Sequence, residues 1–326
     1  LAHAQGIKVI MYTGWGINAT SENWKKFGLE LGRYPVENHG WGAFTQSAAP
    51  NGGYADFMAY GHADIAREYE VDGVLWDSTA NLAPDCNLRT GNAWVDAQGR
   101  VRPKYPVLAT REVYRRVYNV YHGEVRKDGI VYNHCGNMWP INVFADMQNR
   151  GEGRPMTAKT LRESWMPFEE FRSDYSAEPF GTLYSGEIND WAKYPMRVST
   201  HLTVTLLHGT YAKEYAIYPK GWTYAYEGRP LIPLWKVFMW LPWDETTRKL
   251  YYYGNLKGKY QAVKATPSSL LSSAFVSGDG KRAIVVVSNM DTTPVPGAVL
   301  ELDAASLGLQ PGALKVEDAI LKKPLE

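Results

Sequence analysis

The sequence has little of what covalent or metal-built scaffolds need. Its 326 residues include 2 cysteines and 7 histidines. Two cysteines cannot make a disulfide framework or a four-thiolate zinc site. The histidines are scattered and none falls in a ligand spacing such as HExxH, so neither a metal nor a cofactor is expected. An excess of one charge is missing as well: 35 Lys and Arg stand against 34 Asp and Glu, a formal net charge of +1. That balance argues against a nucleic-acid partner and against a polybasic membrane surface. No apolar run approaches the roughly 18 residues that cross a bilayer. There is no internal repeat and no low-complexity segment. The chain opens Leu1-Ala2-His3-Ala4-Gln5, without an initiator Met or an apolar signal core. It reads as the last turn of a helix closed by Gly6, and the expectation is an upstream N-terminal region of the same protein.

What is present is enough for a full core. Hydrophobic residues are 45% and charged residues 21%, a composition that folds. The length suggests two domains, or one large barrel and a small one. Trp is 12, Tyr 22 and Phe only 9. Trp and Tyr join an aromatic body to a polar tip, which suits the rim of a core or a cleft that stacks sugar rings.

Apolar runs of strand length recur over 7–13, 73–77, 130–133, 143–146, 182–185 and 210–212. Such continuous runs mark parallel strands covered on both faces. Helical patterns over 54–69, 111–125 (after Thr110 as N-cap), 159–175 and 197–208 lie between most of them. Alternation of this kind is α/β with a parallel sheet. Six strands fall short of a closed eight-stranded barrel; a chain lacking the first two would present strands three to eight. A doubly wound sheet is the competitor, but no Gly-rich phosphate fingerprint follows any strand. The expected fold is therefore a (β/α)8 TIM-type barrel over 1–256, N-terminally incomplete, with 231–241 as its last helix. After it, 257–326 reads as a small antiparallel β-sandwich domain, with a hairpin signal at Gly278-Asp279-Gly280.

Chemistry in such barrels sits where strands end. Four of the six runs close on acidic residues: Asp77, Asp146, Glu187 and Glu214. Glycoside hydrolysis needs two carboxyl groups flanking one bond. Asp77 and Asp146 would stand on next-but-one strands, roughly 9–10 Å apart at Cα. Side chains leaning inward would bring the carboxyls near the roughly 5–5.5 Å of a retaining pair. Asp77 could equally be a helix N-cap, and Asp146 a buried partner of Arg150 or Arg154. An ionised Asp77 would need donors such as Lys8 or backbone N–H groups.

The run Gly6-Ile7-Lys8-Val9-Ile10-Met11-Tyr12 and the run Val71-Asp72-Gly73-Val74-Leu75-Trp76-Asp77 carry a resemblance. Over Gly6 to about Trp243 the chain resembles the retaining α-glycosidase barrels of the α-galactosidase and α-glucosidase type, or a glycosidase-like relative of them. In that family a G-x-K-x-x-x-Y strand precedes one ending in aromatic-Asp, whose Asp is the nucleophile. The resemblance implies a retaining hydrolase of oligosaccharides or glycosides, with Asp77 as nucleophile and Asp146 as acid/base. It also implies a sugar pocket shaped by Cys135-Gly136 and a β-sandwich after the barrel. Sugar contacts are expected from Lys8, Tyr12, Trp15, Trp76, Asn133, His134, Cys135 and Arg150. Trp41 and Trp139 are further stacking platforms, while core packing is the default for Trp76. His134 could bond a sugar hydroxyl or be a satisfied loop histidine. The chain departs from the family in its long loop from Gly14 to Gly53 and at Asn133-His134, which bears on substrate more than on chemistry.

Two other readings compete. One is a glycosidase of another clan, with Asp77 as acid/base and Glu187 as nucleophile; that clan usually carries Asn-Glu where this chain has Trp76-Asp77. The other is a non-catalytic carbohydrate-binding barrel. A secreted or periplasmic location is expected. Cys86 and Cys135 each follow one of two adjacent strands and should lie on the same face. They could then form a disulfide in an exported protein, or be two unrelated loop cysteines. Asn18-Ala19-Thr20 is a glycosylation sequon, relevant to a eukaryotic secreted protein.

Overall fold

A computed structural model of the chain describes residues 1–34, 45–46, 48–77, 84–134, 141–150, 183–188, 205–209, 211–214, 225–226, 229–230, 232–244, 246–251, 261–289, 293–312 and 314–325. They form two compact units, one running to Arg150 and one from Tyr184 onward. Each is mixed in helix and strand.

The first unit is built on β1 (Ile10–Gly14). After it come β2 (Ile17–Asn18), α1 (Glu22–Leu31), β3 (Thr45–Gln46), α2 (Gly53–Glu68) and β4 (Gly73–Asp77). Then follow β5 (Ala93–Val95), β6 (Val101–Pro103), α3 (Val107–Asn119), β7 (Ile130–His134) and β8 (Met147–Arg150). Strands β1, β4, β7 and β8 are hydrogen-bonded neighbours in that order, all parallel. Val74, Trp76 and Val131 are fully buried, as expected of the helix-covered face of a parallel sheet. Gly73 is required: a Cβ there would stand 2.0 Å from the Ile130 carbonyl oxygen, so β4 and β7 approach closely only without one.

Helix α2 lays Tyr54, Met58, His62 and Ala66 along one stripe, with Ala55 and Ala63 beside them. Helix α3 buries Thr110, Val113, Tyr114 and Val117, then continues as one π-helical turn, Val120–Glu124. The two stripes close over Trp76, whose ring stacks between Trp15 (5.3 Å) and Tyr114 (4.9 Å). Helix α3 starts earlier than its pattern suggested, with Pro106 at its N-cap, and Thr110 is buried within it.

Two sequence expectations need correcting here. The stretch from Gly14 to Gly53 is not all loop. Ser21 caps a ten-residue helix, its Oγ accepting from the Trp24 N–H at 3.1 Å, and β2 pairs with β3. The run 143–146 is not a strand. Asn142–Phe144 is a 3-10 turn, and the strand begins only at Met147. Phe144 is apolar because it packs beneath α3, edge-on to Tyr118 at 6.0 Å with the Arg111 guanidinium over its ring. The true strand reads Met-Gln-Asn-Arg, and Gln148 and Asn149 are fully buried. A polar strand escapes any search for apolar runs.

In the second unit β9 (Leu183–Ile188) and β10 (Tyr211–Glu214) pair in parallel. After them come β11 (Ala225–Tyr226), β12 (Arg229–Pro230), α4 (Ile232–Trp240), β13 (Arg248–Tyr251) and β14 (Val263–Thr266). The chain continues as β15 (Leu270–Val276), β16 (Ala283–Asn289), β17 (Val299–Leu302) and α5 (Ala304–Leu307). Pairing becomes antiparallel: β11 with β12, β13–β15–β16 as one sheet, and β14 with β17. The hairpin expected at Gly278 joins β15 to β16, closed by the Ser277 N–H on the Arg282 carbonyl at 3.0 Å with Gly280 at φ +66°. The helix expected over 159–175 lies outside the described residues, as does most of 197–208. No helix among the described residues is long and apolar enough to cross a membrane.

His62 ties this core to pH. Its Nδ1 lies 3.2 Å from the Tyr121 hydroxyl, and burial pushes the imidazole down to about 4. The unfolded chain takes up that proton first as pH falls. The neutral ring's contribution is therefore whole above the ordinary value of 6.5 and is lost as pH falls to about 4, a change of about 3 kcal/mol at most. Chemical denaturation between pH 7 and 4 should show this loss, and His62→Gln should flatten it; an unchanged slope in the variant would assign the loss to another group.

Candidate active site

Strand parity assigns the side chains. Register pairs Tyr12 with Leu75, Leu75 with Tyr132, and Trp76 with Asn133. Parallel neighbours in register point to the same face, and successive residues alternate. Tyr12, Asp77 and His134 therefore share one face, while Trp76, Asn133 and Gln148 share the helix-covered one.

Asp77 is the last residue of β4 and His134 the last of β7. The Tyr12 hydroxyl donates to Asp77 Oδ2. His134 Nδ1 stands 2.5 Å from Asp77 Oδ1; an ionised carboxylate only accepts, so that nitrogen carries the hydrogen. The Trp15 N–H donates to the Asp77 carbonyl at 3.1 Å, tying the loop after β1 to the end of β4. Donors on both oxygens favour the charged form of a carboxyl group. The arrangement can present a fixed anion at the C-terminal end of a parallel strand, where such folds carry their chemistry.

The other expected residues distribute unevenly. Tyr12 and His134 come to Asp77. Trp15 and Trp76 do not form stacking platforms: Trp76 is fully buried, and Trp15 packs on it with its Nε1–H donating to the Ala48 carbonyl at 3.0 Å. Asn133 is fully buried on the Trp76 side, so parity removes it from the face of Asp77. Lys8 is corrected too. The strand begins at Ile10, and the Lys8 Nζ donates to the Asp128 carboxylate at 2.8 Å, just before β7. Lys8 lies six residues before Gly14, the register partner of Asp77, which is roughly 20 Å along the strand. Cys135, Trp41 and Trp139 lie outside the described residues, and with Cys135 the proposed pairing with Cys86. Arg150 ends β8. Glu187 stands on β9 in the second unit, opposite Lys213 of β10.

Asp146 is the largest correction. It precedes β8 instead of closing a strand. Its Oδ2 accepts from the Val131 N–H at 2.7 Å and lies 2.9 Å from His122 Nε2, while its own N–H donates to the Val131 carbonyl at 2.9 Å. Register sets Asp146 beside Val131, level with Val74 and three residues below Asp77. Two strands across and three residues down put the two Cα atoms roughly 14 Å apart, too far for carboxyls that must lie about 5–5.5 Å apart across one bond. His122, which holds Asp146 and stacks on Tyr118 at 3.9 Å, carried no signal in the sequence. Among the described residues no group of three or more His, Cys, Asp or Glu is placed to hold a metal ion.

No family model and no curated protein matches the chain. Solved structures do. A maltogenic α-amylase from Thermotoga neapolitana is similar at TM-score 0.58 and 12% identity, over 99% of this chain and 73% of its own. A GH27 β-L-arabinopyranosidase from Geobacillus stearothermophilus is similar at TM-score 0.55 and 10% identity, over 99% of this chain and 70% of its own. A GH36 α-galactosidase from the same organism, crystallised with raffinose, gives 0.52 and 11% over 87% of this chain. The fold is shared with glycoside hydrolases. The chain spans 37% of that α-galactosidase, so it matches about a third of the larger protein.

These positions separate core from site experimentally. Trp76→Ala should cost about 3–5 kcal/mol of unfolding free energy, as emptying a large buried aromatic site does. Lys8→Met removes a solvent-exposed pair and should leave stability nearly unchanged. Denaturant titration reads both. Loss of sugar affinity in a folded Lys8→Met protein would return Lys8 to the site.

Proposed function

We propose that the chain is a glycoside hydrolase that cleaves by a retaining mechanism, with Asp77 as the nucleophile. We read its strands and helices as part of a (β/α)8 barrel followed by a β-sandwich. The observation that carries the reading is Asp77 itself: a carboxylate at the C-terminal end of a central parallel strand, held by Tyr12 and His134. The likeness in fold to the arabinopyranosidase and the α-galactosidase supports the same class of chemistry.

In the first step one Asp77 oxygen bonds to the anomeric carbon as the bond to the leaving oxygen breaks, and that oxygen takes a proton from a second carboxyl group. In the second step water attacks the same carbon, gives its proton to that carboxylate, and returns the electron pair to Asp77. Geometry speaks against Asp146 as the second group. Candidates from the chain are Glu187 on β9 and Glu152, two positions in sequence beyond the last residue of β8 and outside the described residues.

The test is a panel of 4-nitrophenyl glycosides of α-D-galactose, β-L-arabinopyranose and α-D-glucose, with the first-formed product followed by NMR. Retained anomeric configuration is expected; inversion would require a wider carboxylate pair. Asp77→Asn should abolish turnover in a folded protein, and substantial residual activity would remove Asp77 from the mechanism. Replacing the true acid/base by Ala should spare substrates with good leaving groups and give a glycosyl azide with added azide. Asp146→Ala should show neither behaviour, only lowered stability. A glycosyl azide from Asp146→Ala would overturn the geometric argument against it.

A further inference from the structure

We infer that residues 84–104, between β4 and α3, form a fixed wall of the sugar site, and that Asp85 is the positioning residue that holds this wall. The inference rests on the reading of Asp77 as nucleophile and deepens it.

Three polar side chains near the start of this segment are withdrawn from water. Asp85 is fully buried, and Asn87 and Asn92 are 3% exposed. Burying such groups is costly unless each is bonded. Here the bonds join two parts of the chain. Asp85 Oδ1 accepts from the Tyr34 N–H and the Asn87 N–H, both at 2.9 Å, and Oδ2 accepts from Asn92 Nδ2 at 2.7 Å. Asn87 Nδ2 donates to the Gly32 carbonyl at 2.7 Å and the Leu29 carbonyl at 3.2 Å, groups of the kind that a helix end leaves open. The Cys86 N–H donates to the Tyr34 carbonyl at 2.8 Å, and Asn51 Nδ2 to the Thr90 carbonyl at 2.9 Å. The segment after β4 is thereby joined to the segment after β1.

The rest of the wall is fixed as well. The Asp85 N–H donates to the Lys104 carbonyl at 3.0 Å and closes its base. Above that base β5 and β6 pair as a hairpin, with Asp96 accepting from Arg100 Nε at 2.9 Å and Arg102 Nε at 2.8 Å.

The same framework reaches Asp77. The Ala49 N–H donates to the Leu31 carbonyl at 2.7 Å, Trp15 Nε1–H to the Ala48 carbonyl at 3.0 Å, and the Trp15 N–H to the Asp77 carbonyl at 3.1 Å. Hydrogen bonds and short stretches of chain therefore lead from Asp77 through Trp15 and the end of α1 to Asn87 and Asp85. Both segments leave the C-terminal ends of their strands, the end at which barrels bind substrate. A sugar on Asp77 lies in the space they border. A wall held in this way is in place before the substrate arrives, unlike a lid that closes afterwards. None of these bonds uses a side-chain atom of Asp77. Displacing the wall therefore leaves the reacting group where it is and weakens ground state and transition state alike, which raises KM and spares kcat.

The experiment measures kcat and KM with the full chain and whichever 4-nitrophenyl glycoside of the panel is turned over. Asp85→Ala takes the acceptor from three buried donors. KM should rise about tenfold, the loss that one buried hydrogen bond implies when the wall spends less time in place, with kcat little changed. Asp85→Asn keeps an oxygen for the Tyr34 and Asn87 N–H groups and should restore most of the affinity. Asn87→Ala leaves Asp85 intact, releases the end of α1 and should raise KM in the same way. Thermal melts decide whether each variant is folded, and Asn87→Ala is the deciding variant if Asp85→Ala is not. A residue that only supports the fold would leave fewer active molecules, so kcat would fall at unchanged KM. That pattern, or equal KM in the Asp85→Ala and Asp85→Asn proteins, overturns the inference.

Asp77→Asn separates this failure from that of the underlying reading. An inactive Asp77→Asn, beside folded Asp85→Ala and Asn87→Ala proteins with the KM of the unaltered chain, sinks the wall alone. Substantial activity in Asp77→Asn, or a panel with no turnover, sinks both.

Discussion

The register of β4 between β1 and β7 is the constraint on which the candidate site depends. A slip of one residue would turn every side chain of β4 to the other face, carrying Asp77 under the helices and Trp76 into the open. Three features hold it. Gly73 lets the strand approach Ile130 closely. The Asp72 N–H donates to the Val9 carbonyl at 2.6 Å, and the Ile130 N–H donates to the Asp72 carbonyl at 2.9 Å, setting all three strands from below. Trp76, buried between Trp15 and Tyr114, gives the large apolar term that a slip would lose. The residue before Asp77 is thus the anchor that aims it.

The same strands hold two carboxylates at opposite ends. Asp77 stands at the C-terminal ends, its side chain partly open, with a phenol and an imidazole as donors. Asp146 stands at the N-terminal ends and joins β8 to β7 through the Val131 backbone and His122. Both have a histidine, so the pairing alone does not mark function. Position along the strand separates them: Asp77 lies at the C-terminal ends, where barrels of parallel strands carry their chemistry, and Asp146 at the N-terminal ends, where they carry stability. Lys8 with Asp128, and His3 with Asp72, add to that lower face.

This explains what the sequence made legible. β4 was readable to the residue because its apolar run ends abruptly in Asp77, and α2 because its stripe repeats at helical spacing. β8 was not, because its buried positions are Gln148 and Asn149, and the apolar run before it serves the helix side. Asp146 was misplaced with that run. Placing Lys8 and Asn133 at the site failed for a related reason: a motif gives neighbours along the chain, while site membership needs strand ends and parity. Tyr12, in the middle of β1, shares the face of Asp77 by parity, and His134 shares both that face and a strand end, although nothing in the sequence gave its partner.

The partners of Asp77 also determine what a substitution there reports. Asp77→Asn keeps an oxygen at Oδ1 for the largely buried His134 N–H, so loss of activity in that variant reports the lost charge. Asp77→Ala takes the acceptor away from a buried donor, and part of its effect is the cost of that donor, of the order of 1–3 kcal/mol. The exposed Tyr12 hydroxyl can find water instead and adds little to that cost. If Asp77 acts as proposed, a largely buried donor such as His134 is in place before any substrate arrives, which leaves less to reorganise in the reaction step.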